Sequence, residues 1–230
     1  MKTVFATTTI MLFSGMLHAQ AIDLDEKIDT SGIKIPSGGK VSVIAIGQLP
    51  AKAGQVMAGQ KKRLDKSSTT SGVLEYTDLE DAHVSDLKRM AAFVKSPAQL
   101  ADKVLVKLSK LGDEYKDYKL IGLLPEGTIP RGPWTWMSRL FEGPNNTFVR
   151  LSEWDFKADD GGILLIKEFL NQEVNGVPAT LSLSLAKSGR ALWSLTWVRD
   201  GKQYTLDLSA PKSVVDHKAK ILRLAESLSD

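Results

Sequence analysis

The chain has 230 residues, 43% of them apolar and 25% charged, and it contains no cysteine. That length suits one large domain, or a small one beside a larger one, with enough apolar side chains to bury a core without a disulfide or metal staple. The lack of cysteine excludes disulfide scaffolds, thiolate zinc sites and cysteine nucleophiles, and a net charge of +3 is too thin a surplus for the clustered positive charge that nucleic-acid recognition needs.

Met1 to Ala21 has the pattern of a secretory signal peptide, with Lys2 as the positive region, Val4 to Leu17 as the apolar stretch and Ala19-Gln20-Ala21 as the small-x-small cleavage site. The stretch is interrupted by Thr7, Thr8 and Thr9 and is too short for a bilayer span. Cleavage is expected after Ala21, and no later segment has the length and apolarity to cross a membrane. An exported chain that uses no cysteine fits a bacterial periplasm better than a eukaryotic secretory route, where disulfides are common. In that setting the sequon Asn145-Asn146-Thr147 carries no meaning.

Residues 22–47 begin acidic, with Asp23, Asp25, Glu26 and Asp29, then turn at Pro36 to Gly39 and enter the apolar run Val41 to Ile46, which reads as a buried strand. A weak helix is expected over 51–66 and a loop over 67–72. From 82 to 111 the spacing is helical, split in two by Ser96-Pro97, and in the second helix Leu100, Val104, Leu108 and Leu111 line one face. Lys103, Lys107 and Lys110 lie on the polar side and read as a solvated helix face, with a binding patch as the alternative.

The segment Arg131-Gly132-Pro133-Trp134-Thr135-Trp136-Met137-Ser138-Arg139 stands out, because two tryptophans, a methionine and flanking arginines have the composition of an interface core. Arg131, Trp134, Trp136, Met137 and Arg139 are therefore the candidate partner-binding residues. The competing readings are a strand that points Trp134 and Trp136 into the core, or a peripheral membrane contact.

Two strands follow at about 146–157 and 162–174, joined through Asp159-Asp160-Gly161-Gly162. Asn175-Gly176, Ser188-Gly189 and Asp200-Gly201 then punctuate a β-meander. Leu181, Leu183 and Leu185 alternate with Ser182 and Ser184; Trp193, Leu195 and Trp197 with Ser194 and Thr196; Tyr204, Leu206 and Leu208 with Thr205 and Asp207. The small hydroxyls read as a solvated sheet face, with a ligand groove as the alternative. A helix over 213–228, with Val214, Ile221, Ala225 and Leu228 on one stripe, is the natural cover for the apolar face.

The run Trp197-Val198-Arg199-Asp200-Gly201-Lys202-Gln203-Tyr204-Thr205-Leu206, followed by Ser209-Ala210-Pro211 and Ala225-Glu226-Ser227-Leu228, resembles the closing strand and helix of PsbP-like proteins. That fold, shared with the periplasmic DcrB group, is an antiparallel sheet flanked by helices. The resemblance spans about 175–230 and implies a binding or assembly role without a shared active site, so it assigns no functional residue.

Signs of chemistry are sparse. Beyond the leader only His83 and His217 remain, neither in a metal-ligand spacing, and no G-x-S-x-G, P-loop or G-x-G-x-x-G motif occurs. The carboxylates at Asp23/Asp25/Glu26/Asp29 lack the glycine and bidentate glutamate of a calcium loop, and Asp159/Asp160 are followed by two glycines, which a tight turn needs in any case. No cofactor, metal or catalytic residue is assigned. The expected architecture is α+β, an antiparallel β-meander covered by a C-terminal helix, with further helices in the N-terminal half. The expected organisation is a signal over 1–21, a helix-rich region over 22–120 that is either separate or part of the same domain, and the sheet with its helix over 121–230. The expected function is a periplasmic non-catalytic module that binds another protein. The alternatives are a carrier holding an apolar ligand between sheet and helix, and a hydrolase with dispersed catalytic residues.

Overall fold

The turn dipeptides set the second half of the molecule. Asn175 and Gly176 both take positive φ (50° and 78°), as do Asp200 and Gly201 (53° and 82°), which is the primed turn geometry that matches strand twist. They close the hairpins between β7 (Gln172–Val174) and β8 (Val177–Ala186), and between β9 (Arg190–Arg199) and β10 (Lys202–Pro211). The computed structural model describes residues 32–67, 74–79, 90, 93–100, 103–127, 132–186, 188–211 and 217–230. The leader and acidic cluster, most of the 67–72 loop, His83, Arg131 and Val214 lie outside the described residues.

Upstream come β1 (Lys40–Ile44), α1 (Ala51–Ser67), β2 (Leu74–Leu79), the single turn α2 (Pro97–Leu100), β3 (Lys119–Pro125), β4 (Trp136–Gly143), β5 (Thr147–Asp155) and β6 (Gly162–Ile166). The chain ends with α3 (His217–Glu226). Two antiparallel meanders, β3-β4-β5 and β8-β9-β10, join edge to edge where β5 pairs β10, with Leu151 opposite Leu206. β2 adds in parallel to β8, so the N-terminal region contributes strands to the same sheet. The α+β architecture, with an antiparallel meander under the last helix, is the expected one.

One face of the sheet meets α3. Ile221, Leu224, Ala225 and Leu228 pack against Leu181, Leu195, Leu206 and Leu208, all buried. A second, smaller sheet of β1 and β6 in parallel lies against the opposite face through Ile163 and Leu165, which meet Trp154, Trp136 and Val198. The buried stripe of helix α1, Ala53, Met57, Gln60 and Leu64, follows helical spacing. That stripe packs on Ile166 and Phe169, with Ile33, Ile44 and Ile46 alongside.

Three expectations need correction. The strand at 41–46 forms over Lys40–Ile44 but is not buried: Val41 is 43% and Val43 53% exposed, because they lie beside Ile163 and Leu165 but outside the cluster that covers those two. Of the second helix of 97–111, only Pro97–Leu100 forms among the described residues. Residues 103–110 run irregularly as a strap across the helix-covered face, bridging to Trp134 at Val104 and to Ser229 at Lys110. The expected strand at 162–174 is broken by a 3-10 turn at Lys167–Phe169, which moves the chain from the small sheet to the edge of β8.

Leu206 sits at the centre of the main sheet, fully buried between Leu151 and Leu195. Leu206→Ala is expected to cost about 2–5 kcal/mol of stability, read as a lowered urea midpoint with an unchanged slope.

Candidate functional site

The candidate interface residues lie on and just before β4, whose alternation sends them to opposite faces. Trp134, Met137 and Arg139 point to the helix-covered face and are buried. Trp134 and Met137 pack with Leu100, Val106 and Leu123. These three side chains therefore do not form an exposed docking patch. Trp136 is half-buried on the opposite face, where its Nε1 donates to Ser152 Oγ at 2.7 Å and its ring lies 5.6 Å from that of Trp154. The core-strand alternative describes Trp134 well. It misassigns the period, since Trp134 precedes the strand and is opposed to Trp136 by where the backbone enters it.

Arg139 belongs to a buried polar cluster centred on Glu153 of β5. Its Nη2 donates to Glu153 Oε2 at 2.6 Å and its Nη1 to the Ser109 carbonyl at 2.8 Å. Ser109 returns the contact: its N–H and hydroxyl both donate to Glu153 Oε1 at 2.8 Å. Lys202 Nζ stands 3.9 Å from the same oxygen and donates to the Lys107 carbonyl at 3.0 Å and to Asp230 at 3.2 Å. Tyr204, stacked on Trp197 at 5.0 Å, lies beneath the Lys202 ammonium. Burial disfavours the charge on Lys202, but Tyr204, Glu153 and Asp230 outweigh it and raise its pKa. Burial of Tyr115 beside this cluster pushes its phenol far above the usual range.

The opposite face carries the small hydroxyls, and the solvated reading is overturned there: Ser138, Ser152, Ser182, Ser184, Ser194, Thr205 and Ser209 are buried. At its centre Arg150 donates through Nε to Asp207 Oδ2 at 2.9 Å, and its Nη1 lies 3.7 Å from Glu126. Ser194 donates to the other Asp207 oxygen at 2.5 Å, and Ser138 bonds Glu126. Burial opposes the Arg150 charge, yet the two carboxylates raise its pKa. Apolar patches flank this pair, one under β6 at Trp154 and one where Met90 and Ile121 meet Phe148, Ala186 and Leu192.

Neither cluster has the geometry of a nucleophile with its base. In the hydroxyl–carboxylate pairs Ser109–Glu153 and Ser194–Asp207 each carboxylate is also bound by an arginine, so its oxygens are taken up in a structural ion pair. His217 is buried at the first turn of α3. Asp159, read as half of a carboxylate pair, accepts from Thr135 Oγ1 and from Trp154 Nε1 at 2.7 Å. Among the described residues no group of three or more His, Asp or Glu could hold a metal ion.

Sequence reasoning missed Glu153, Ser109, Lys202, Arg150 and Glu126. The available signal was a charge embedded in an otherwise apolar strand, as in Phe148-Val149-Arg150-Leu151-Ser152-Glu153-Trp154. In comparisons with known proteins, no family model, no curated protein and no solved structure matches the chain.

Removing the Glu153 charge leaves Arg139 and Lys202 without their buried counter-ion. Glu153→Gln is expected to lower stability by about 3–5 kcal/mol, measured by chemical unfolding. The Asp230 contact gives a weaker, pH-dependent contribution: burial raises its carboxyl pKa, but Lys202, Arg199 and Tyr204 together bring it below the ordinary 3.8. A depressed carboxyl stabilises fully above its unfolded value and loses that contribution as pH falls through the folded one. Unfolding curves from neutral to acid pH should therefore show an acid-side loss that Asp230→Asn removes, of at most about 1 kcal/mol because the side chain is partly exposed.

Proposed function

We propose that the chain is a periplasmic, non-catalytic binding module that recognises another protein. The observation carrying this reading is the open edge of β1. It pairs with β6 on one side, no described strand pairs its other edge, and Val41 and Val43 stand in solvent on one face of it. Natural edge strands are usually blunted by charge, proline or a bulge; β1 carries a charge only at its first residue, Lys40, and Val41-Ser42-Val43-Ile44 has none of these. Such an edge accepts an extended segment by strand addition, with main-chain bonds giving affinity and the valines giving contact. The tight packing of α3 on the sheet, with Leu181, Leu195, Leu206 and Ile221 fully buried, favours this reading over a ligand carried between them. The signal-like leader and the PsbP-like texture of 175–230 point the same way.

A photo-crosslinker at Val43, introduced in the native host, is expected to trap one polypeptide at near-stoichiometric yield. Val41→Lys/Val43→Lys should abolish that product while changing stability by less than about 0.5 kcal/mol, since both side chains are exposed. Equal labelling from a crosslinker at Lys62, or a product that survives the double substitution, would contradict the assignment. The mass of the purified protein checks the address: export predicts a chain starting at Ile22.

A further inference from the structure

We infer that the outer side of the 103–111 strap is a docking surface for an anionic lipid bilayer. This goes beyond the strand-addition reading and uses a different part of the molecule. The strap reads Lys103-Val104-Leu105-Val106-Lys107-Leu108-Ser109-Lys110-Leu111, with three lysines and no acidic residue. Over 103–108 exposed residues alternate with covered ones. Val106 and Ser109 point inward and are buried, while Lys103, Leu105 and Lys107 point outward, followed by exposed Lys110 and Leu111. Leu105 is 60% and Leu111 38% exposed, two of the few large apolar side chains in solvent among the described residues.

The charge is local. The strap's three lysines lie within eight residues, with no acidic residue among them. Acidic residues bound the strap, Asp102 before it and Asp113 and Glu114 after Gly112; Glu114 faces Arg223 at 3.5 Å and the nearby Asp230 is paired with Lys202 at 3.2 Å. Lysines interleaved with exposed leucines suit a bilayer surface, where ammonium groups meet phosphate headgroups and leucines enter the acyl boundary.

The strap also arrives pre-organised. The Leu105 N–H donates to the Trp134 carbonyl at 2.8 Å and the Lys110 N–H to the Ser229 carbonyl at 2.6 Å. The Ser109 N–H donates to Glu153, while the Lys107 and Ser109 carbonyls accept from Lys202 and Arg139. The inward groups are spent on the protein, and the outward groups are held in place with little ordering left to lose on docking.

Flotation of the full chain with vesicles of phosphatidylglycerol in phosphatidylcholine, against phosphatidylcholine alone, tests this. The apolar stretch Val4–Leu17 is common to every variant, so differences between variants report on the strap. Phosphatidylglycerol-dependent, salt-sensitive binding is expected. Lys103→Glu/Lys107→Glu/Lys110→Glu should reduce it on the order of a hundredfold, and Leu105→Ser roughly tenfold. A control with the same charge change at exposed Lys34, Lys52 and Lys62 should bind as the parent does. Each protein is checked by near-UV circular dichroism. Absence of phosphatidylglycerol-dependent binding, equal loss in the control triple, or capture of an acidic soluble polypeptide without vesicle binding would overturn the inference.

Discussion

The fully buried carboxylate of Glu153 is the contact on which the layering of this molecule depends. It projects from the middle of the sheet into a face otherwise filled by leucine and aromatic side chains. A charge so placed is tolerable only when paired and hydrogen-bonded. Arg139 supplies the pairing from the neighbouring strand, and Ser109 supplies two donors from the strap. Lys202 extends the cluster to Lys107 and Asp230, so one acid ties β4, β5, β10, the strap and the last residues together. A purely apolar contact could bury as much surface, but it would not choose the strap's register. Here the backbone of Ser109 is itself a partner, and a shift by one residue would leave the carboxylate unmet.

The opposite face repeats the device with different parts. Arg150, Asp207 and Glu126 hold one another among small hydroxyls, between the patch covered by β6 and the patch at Phe148 and Leu192. The central strands therefore carry a buried ion cluster on each side, Arg139–Glu153 on one and Arg150–Asp207 on the other. This arrangement spends charge on holding layers together, and the two surfaces proposed for binding lie elsewhere: β1 with its exposed valines, and the strap with its lysines and leucines.

Much of the second half was legible because its signals are local. Positive-φ dipeptides at Asn175-Gly176 and Asp200-Gly201 and strict alternation along β8, β9 and β10 need no distant information. The strap failed for the converse reason. Lys103 to Leu111 satisfies helical spacing through Leu100, Val104, Leu108 and Leu111, but it also alternates with period two, with β-branched Val104 and Val106 against Lys103, Leu105 and Lys107. The choice is made by Trp134, Glu153 and Ser229, which capture its backbone from elsewhere in the chain, and a single local window cannot see them. The Trp134–Arg139 segment was conspicuous for a sound compositional reason. Tryptophan, methionine and arginine also build a core when the arginine has a buried acid to meet, and Glu153 lies 14 residues further along the chain. The small hydroxyls misled likewise: they share their face with Arg150 and Asp207, and that pair makes a buried polar surface tolerable.

The central claim is that Glu153 makes the strap part of the sheet's cooperative unit and not a loop laid upon it. Native-state amide hydrogen exchange of Ser109 and Lys110, compared with Leu206 at the centre of β10, tests it most directly. The account predicts that the Ser109 and Lys110 amides exchange only with global unfolding, with the same free energy and denaturant dependence as Leu206. Exchange of the strap amides through a low-energy local opening, while Leu206 stays protected, would contradict it.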